Sequence, residues 1–450
     1  MILLVFFLVF TPLLLTPWIH GTDGVGYFVY LRSSIIDHDL NFTDEYAHYS
    51  RIFPYIWYAH DQATGLIINQ YLVGTAVLWA PFFLFGHIVA VLLGYPADGY
   101  SAPYLIATCF GSSVYGFLAI VLAYRFSKRF FSPQASLLSA LGIWFASSLP
   151  YYMWLDPSMS HSVSAFLVSA FLYTTCVWSP RRSYLKWAFA GFLLGLLGIT
   201  RPADLGFVVI PILFNFSKCK DWLHEEVHRY TTSFRNLIAF AAFLFLALLP
   251  QLMAWRVLYG TFVPSTVELT SLSGTWTPAT LTLLPRVFLS PLHGLFYWTP
   301  ITALGVLGAA LMIRDAKLRM LGVGIITAIL IQAVLVNGWS AWYAPASFGQ
   351  RFFLNCTAPL VLGLASFDKE VQAKIKSGLL NYAVVLFLIL WNLGLLIQYG
   401  TGIISPDEPE SLITVAYNDL FVVLPQLLVI LTKFFTTRMG HAQLSIAPLE

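Results

Sequence analysis

The chain has 450 residues, of which 58% are hydrophobic and only 10% charged, and its formal net charge is +3. About a quarter of the residues in a soluble globular domain are charged, so this composition excludes that class and points to an all-α polytopic membrane protein. The small positive charge is spread over many loops and gives no footprint for nucleic acid, and the four cysteines offer neither a disulfide framework nor a CxxC metal pair.

The first apolar span, Met1 to Pro17, has no Lys or Arg before it and no small-residue cleavage site after it. It reads as a retained first helix rather than a removed signal peptide. Trp18 to Gln70 then forms a long polar stretch holding Asp23, Asp37, Asp39, Asp44, Glu45 and Asp61, six of the 21 carboxylates, against only Arg32 and Arg51. A loop of this kind beside a bilayer is the expected chemical head of the protein.

Further apolar runs long enough to cross lie at 71–94, 102–124, 135–153, 159–178, 236–258, 296–313, 321–338, 353–366, 381–400 and 418–435, with a pair over 187–216 broken at Thr200-Arg201-Pro202. Basic connections (Arg125/Lys128/Arg129, Arg181/Arg182/Lys186, Lys218 to Arg235, Arg314/Lys317/Arg319, Lys369/Lys374/Lys376, Lys433/Arg438) alternate with basic-poor ones from residue 102 onward. The positive-inside rule places the basic set in the cytoplasm. Segment 71–94 has a basic-poor connection at both ends and carries Pro81 near its middle, so it is expected to lie in the outer leaflet without crossing. About twelve crossings remain, with both termini cytoplasmic. The same parity puts the acidic loop, Asp156, His161, Arg201, Asp204, Glu268, Arg286, His293 and Arg351 on the outer side.

Several of these groups suggest chemistry. Asp23, in Gly21-Thr22-Asp23-Gly24, is placed to act as a general base towards a hydroxyl or to cap an amphipathic helix over Val25 to Ile36. Asp37-His38-Asp39 offers metal ligands of the kind that suit Zn or Mn, or solvated loop residues. Asp44-Glu45 and His60-Asp61 are weaker versions of the same signal. Asp156 precedes Pro157 and fits a helix cap, whereas His161, one turn into a membrane helix, needs a cavity or a partner. Arg201 in a broken helix calls for an anion, either a phosphate or Asp204. Arg351, in Ser347-Phe348-Gly349-Gln350-Arg351-Phe352-Phe353, is a second phosphate candidate or a snorkelling cation. His293, in Ser290-Pro291-Leu292-His293-Gly294, is a substrate-contact candidate, while Trp339, Trp342 and Tyr343 read as an interfacial belt or a sugar-stacking surface.

Taken in order, these parts resemble the GT-C superfamily of integral membrane glycosyltransferases, in its bacterial branch of lipid A aminoarabinose transferases and protein O-mannosyltransferases. The likeness runs over most of residues 1–365 and rests on the aspartate-led first loop, Leu155-Asp156 before a helix, Leu197-Gly198-Ile199-Thr200-Arg201-Pro202 and Ser347 to Phe352. It implies a catalytic module over 1–365, followed by transmembrane helices and a tail at 366–450. It further implies Asp23 as the general base, with Tyr27 one turn later, Asp156 as the second aspartate, and 71–94 as a juxtamembrane helix. Gly24 departs from the acid that often follows the first aspartate. Asn69-Gln70 stands where the aminoarabinose enzymes carry a Glu-Lys pair, so Arg201 and Arg351 are the expected substitutes at the donor phosphate.

The expected activity is inverting transfer of a sugar from a polyprenyl-phosphate donor to a lipid, glycan or protein hydroxyl at the outer face of the bacterial inner membrane. A divalent metal on Asp156, His161 or Asp39 is an open option. The rival class is a transporter or lipid flippase, which would show two similar halves and charged sites near the bilayer midplane; no such repeat is visible here.

Overall fold

The structure is a computed structural model that describes residues 1–178, 183–219, 228–264, 283–375, 378–429 and 432, and the side chains of 216–219 and 228–233 lie outside the description. The expectations for Arg181, Arg182, Lys218, Glu268, Lys376, Lys433 and Arg438 fall outside it as well. In chain order, α1 (Ile2–Leu14) leads to the acidic loop, which folds as α2 (Gly21–Arg32), a π turn (Ser33–Asp37) and α3 (Thr43–Ile52). Next come α4 (Gly74–Leu93), α5 (Ala102–Ser127), α6 (Pro133–Phe145), a π turn at Tyr151–Leu155 and α7 (His161–Cys176). Then α8 (Ser183–Thr200), a 3-10 turn (Pro202–Val208), α9 (Val209–Cys219) and α10 (His228–Tyr259) follow. The remainder is α11 (Leu284–Leu289), α12 (Leu295–Trp298), α13 (Ile301–Met312), α14 (Arg319–Gly338), a 3-10 turn (Arg351–Cys356), α15 (Thr357–Ile375), α16 (Leu379–Gly400) and α17 (Leu412–Asn418).

Among the described residues six helices are long and apolar enough to cross a membrane, namely α4, α5, α8, α10 over Phe234–Tyr259, α14 and α16. Shorter apolar helices at Ile2–Leu14, His161–Cys176, Pro202–Asn215, Ile301–Met312 and Leu412–Val423 accompany them. The chain is thus an all-α integral membrane protein, as its composition implies. Its spans are less regular than twelve unbroken crossings. The run at 296–313 divides at Thr299-Pro300, because the residue before a proline is pushed out of the helical region, and Thr299 sits at φ −129°. The pair over 187–216 breaks at Arg201, whose φ of −150° ends α8 before Pro202 opens the 3-10 turn. By length and composition α4 is also long enough to span, as the apolar run 71–94 implies. Its side-chain hydrogen bonds to α5 involve Tyr104, Ser112 and Tyr115.

Helices in lipid gain little from hydrophobicity when they associate, so close approach depends on small residues. A Cβ added to Gly191 would lie 2.1 Å from Phe240 O, and one at Gly308 would lie 1.8 Å from Gly363 O. These contacts fuse α8 to α10 and α13 to α15. At the opposite end from the acidic loop, Lys369 Nζ pairs with Asp315 at 3.7 Å, joining two of the basic connections.

The junction between α6 and α7 is held by side chains that satisfy its non-helical backbone. Ser113 donates to Met153 O and Ser112 to Pro157 O, both at 2.6 Å. From the other side the Thr16 N–H donates to Trp154 O at 2.7 Å, and Trp18 Nε1 donates to Leu155 O at 2.8 Å. The segment carrying Asp156 is therefore clamped between α5 and the residues entering α2. The C-terminal helices buttress the same region, because Asn392 Nδ2 donates to both Phe145 O and Ser147 O at 2.9 and 2.8 Å, and Asp407 Oδ1 accepts the Ala346 N–H at 2.8 Å.

Candidate active site

Asp23 does not cap a helix over 25–36. Helix α2 begins at Gly21 with His20 as its N-cap, so Asp23 lies inside the first turn, where a carboxylate is favoured by the helix dipole. This leaves the side chain free to reach across. Oδ1 accepts the Tyr71 hydroxyl at 2.7 Å, and Oδ2 faces Arg351 Nη2 at 3.3 Å.

Two glycines let α2 press against its neighbours. A Cβ at Gly24 would lie 2.6 Å from Ser158 Oγ, and one at Gly26 would lie 2.0 Å from Tyr71 Cδ2. The space after Asp23 is already filled by Ser158, which is why an acid cannot follow it here. Asn69 is also structural: its Nδ2 donates to Gly26 O at 2.8 Å, and its carbonyl accepts the Tyr259 hydroxyl at 2.9 Å.

One turn beyond Asp23, the Tyr27 hydroxyl accepts Ser160 Oγ at 3.0 Å. Arg201 Nη1 donates to the same Ser160 Oγ and to His161 Nδ1, each at 3.2 Å. Arg201 therefore makes no ion pair with Asp204, whose carboxylate is buried and accepts from Ser164 Oγ at 2.6 Å and Asn355 Nδ2 at 2.8 Å. The two arginines flank one ring, with Arg201 Cζ 5.4 Å and Arg351 Cζ 5.6 Å from the centre of Phe352. Arg351 also reaches Met159 Sδ at 4.0 Å, and its buried Nε has no partner. The structure thus brings together Asp23, Tyr27, His161, Arg201 and Arg351 from four separate segments.

Asp156 departs from its expected cap role, since α7 starts at His161 with Ser160 before it. The buried carboxylate instead accepts Ser158 Oγ at 3.1 Å, and Ser158 Oγ accepts the His20 N–H at 3.0 Å. Burial raises Asp156 above the usual carboxylate range, opposed by His20, Ser158 and Arg351. Burial and then Asp23 raise Tyr27, and the same two causes raise Tyr71 well above the ordinary phenol value, so both stay protonated at neutral pH.

Other predicted residues do not join this group. His293 is fully buried at φ 60°, hydrogen-bonded through Nδ1 to Tyr343 O at 2.6 Å and packed on Trp298. Arg286 clasps Asn337 through its side-chain and main-chain oxygens, both at 2.9 Å, and lies over Trp342, which it covers. Asp39 accepts from Ser33 Oγ at 2.7 Å and closes the turn after α2, at the far end of that helix from Asp23. Sequence reasoning does not single out Tyr71, Ser160 or Phe352, although Ser160 and Phe352 adjoin His161 and Arg351 and Tyr71 follows Asn69-Gln70.

The three proposed metal ligands are engaged separately, Asp156 by Ser158, His161 by Arg201 and Asp39 by Ser33. Among the described residues no three His, Cys, Asp or Glu side chains gather closely enough to hold a metal ion. With guanidinium groups seated on Asp23 and His161, the arrangement does not suit a divalent cation.

No protein-family model and no curated protein matches the chain. Solved structures do, all of them membrane-embedded transferases by their descriptions or folds, and each is a protein that the chain is similar to. An Archaeoglobus fulgidus oligosaccharyltransferase, solved with Zn and sulfate, is similar over 87% of this chain and 51% of its own, at 16% identity and a TM-score of 0.50. The oligosaccharyltransferase AglB of Archaeoglobus fulgidus, in complex with an inhibitory peptide and a dolichol-phosphate, aligns over 100% of this chain and 56% of its own at 14% identity and a TM-score of 0.47. ArnT from Cupriavidus metallidurans in the apo state aligns over 98% and 77% at 11% identity and a TM-score of 0.48. The chain spans about half the length of the two archaeal proteins. At these identities the likeness is one of fold.

Proposed function

We propose that the chain is a glycosyltransferase that moves a sugar from a polyprenyl-phosphate donor to a hydroxyl acceptor at the outer face of the membrane, with Asp23 as general base. The observation that carries this reading is the Asp23 carboxylate paired with Arg351, whose guanidinium shares the Phe352 ring with that of Arg201. A base and an anion-binding pair side by side are the two things that displacement at a phosphorylated sugar requires.

In this mechanism the acceptor O–H gives its proton to Asp23 as its oxygen bonds to the anomeric carbon. The bond from that carbon to the phosphate oxygen breaks, and the polyprenyl phosphate leaves with its charge on Arg201 and Arg351. Inversion at carbon is what the resemblance implies. A bound donor phosphate competes with Asp23 for Arg351 and draws it off Oδ2, leaving that oxygen open to the acceptor hydroxyl. Tyr71 holds the other carboxylate oxygen and keeps the group aimed.

Helix α4 is read as an outer-leaflet helix, since the connections at both of its ends are poor in Lys and Arg. The bacterial inner membrane, with the site facing outward, fits the charge alternation of the loops. A transporter would need charged groups near the midplane of two similar halves, and the one-sided cluster here does not meet that.

The test is to incubate the purified protein in lipid nanodiscs with a panel of polyprenyl-phosphate sugars and hydroxyl acceptors, and to identify products by mass spectrometry. A new glycosidic linkage with release of polyprenyl phosphate supports the reading. Vectorial movement of intact donor lipid across the bilayer, with no product, replaces it by the flippase class.

A further inference from the structure

A line of aromatic rings runs outward from the candidate site along the loop between α3 and α4. It starts at Trp18, whose indole N–H is fixed to Leu155 O next to Asp156. Trp18 stacks on His20 with centres 4.1 Å apart and planes 11° apart, His20 meets the edge of Phe53 at 5.5 Å, and Phe53 meets Tyr55 at 5.8 Å. Beyond it the rings emerge into the open: Tyr55 is 62% exposed, Trp57 57% and Tyr58 41%.

An interfacial belt would account for exposed rings at this depth. It does not account for the four-ring ladder from Tyr55 through Phe53 and His20 to Trp18, which leads inward to the segment holding Asp156 and has Trp57 and Tyr58 exposed just past its outer end. Aromatic faces beside hydroxyl-binding polar groups suit the apolar C–H face of a pyranose, whereas a peptide or an alkyl chain has no need of flat, spaced, half-exposed rings. We infer that Phe53 to Tyr58 forms an acceptor-side carbohydrate subsite, so that the hydroxyl brought to Asp23 belongs to a saccharide whose next residues stack on Tyr55 and Trp57. This rests on the glycosyltransferase reading above but names its acceptor class.

The test separates the two. Full-length protein in nanodiscs is titrated by isothermal calorimetry, without any donor, with β-1,4-linked tetrasaccharides of glucose and of N-acetylglucosamine. Transfer is then compared on three acceptors: those tetrasaccharides, a Ser/Thr-rich peptide and a diacylglycerol. Binding of a tetrasaccharide is expected, and Trp57→Ala and Tyr55→Ala should each weaken it and raise the acceptor KM about three- to tenfold, with donor KM and kcat unchanged. Trp57→Phe should recover most of the loss, which a merely structural defect would not show. Absence of tetrasaccharide binding at millimolar concentration, or transfer to the peptide or diacylglycerol that is indifferent to Trp57→Ala, overturns the subsite while leaving the glycosyltransferase reading intact. If Trp57→Ala and Trp57→Phe weaken binding equally, the ring is not a stacking surface and the inference falls.

Discussion

Replacing Asp23 by Asn changes one atom and separates base chemistry from architecture. The amide oxygen still accepts the Tyr71 hydroxyl now at 2.7 Å, while the new NH2 faces Arg351 where the carboxylate stood at 3.3 Å. The Asp23 side chain is 30% exposed, so the lost ion pair is screened and worth about 1 kcal/mol or less. The protein should therefore stay folded, with little change in its melting curve. Activity should respond on another scale, because a positioned general base contributes about 10²- to 10⁴-fold, or roughly 3–5 kcal/mol of barrier. Donor affinity should hold or improve, since Arg351 no longer divides itself between carboxylate and phosphate. The assay is transfer at saturating donor and acceptor, with donor KM measured alongside. A kcat within threefold of the parent, or a fall in rate explained wholly by a raised donor KM, would falsify the assignment of Asp23 as base.

Three further perturbations test the surroundings. Arg201→Lys keeps the charge but loses the planar fork that now bridges Ser160 and His161, so donor KM should rise about tenfold with kcat less affected; an unchanged donor KM would mean that Arg201 only braces α7. Gly26→Ala places a methyl 2.0 Å from the Tyr71 ring, which must move off Asp23. The expected cost is about 1–3 kcal/mol of stability and a loss of activity that Gly198→Ala, where the nearest atoms are 3.9 Å away, does not share. Glu45, with its side chain fully buried against Arg32 at 2.9 Å, is raised to about 7, chiefly by burial and against the opposing pull of Arg32. A folded-state value above the unfolded one means that the folded state holds the extra proton, so stability is full below about pH 4.5 and falls as pH rises through about 7, by at most about 3 kcal/mol. Thermal unfolding from pH 4.5 to 7.5 should show that slope, and Glu45→Gln should flatten it; the same slope in the variant would assign it to another group.

That last case shows where geometry and sequence part company. Arg32, Asp37 and Glu45 look in sequence like ordinary solvated charges, and the structure closes them into a cluster under Tyr100, whose ring lies 4.5 Å from Arg32 Cζ. The cluster ties the far end of α2 to α3 and to the turn before α5, so the helix that carries Asp23 is anchored at both ends. Nothing in residue spacing reveals this, because the partners meet only after three segments fold together.

Hydrophobic run length and the distribution of Lys and Arg were enough to establish a helical membrane protein, since the bilayer accepts little else and reads charge asymmetry directly. They also isolated Asp23, Arg201 and Arg351, because charge near hydrocarbon is rare enough to stand out. Only the tertiary structure decided which of the flagged groups meet. It turned Arg201 away from Asp204 and onto Ser160 and His161, set Arg351 on Asp23, sent His293, Arg286 and Asp39 to structural posts, and added Tyr71. The reason is that hydrogen bonds and ion pairs act over about 3 Å, whereas the chain separations involved run to hundreds of residues, and only the packing of helices at glycine seams brings such distances together.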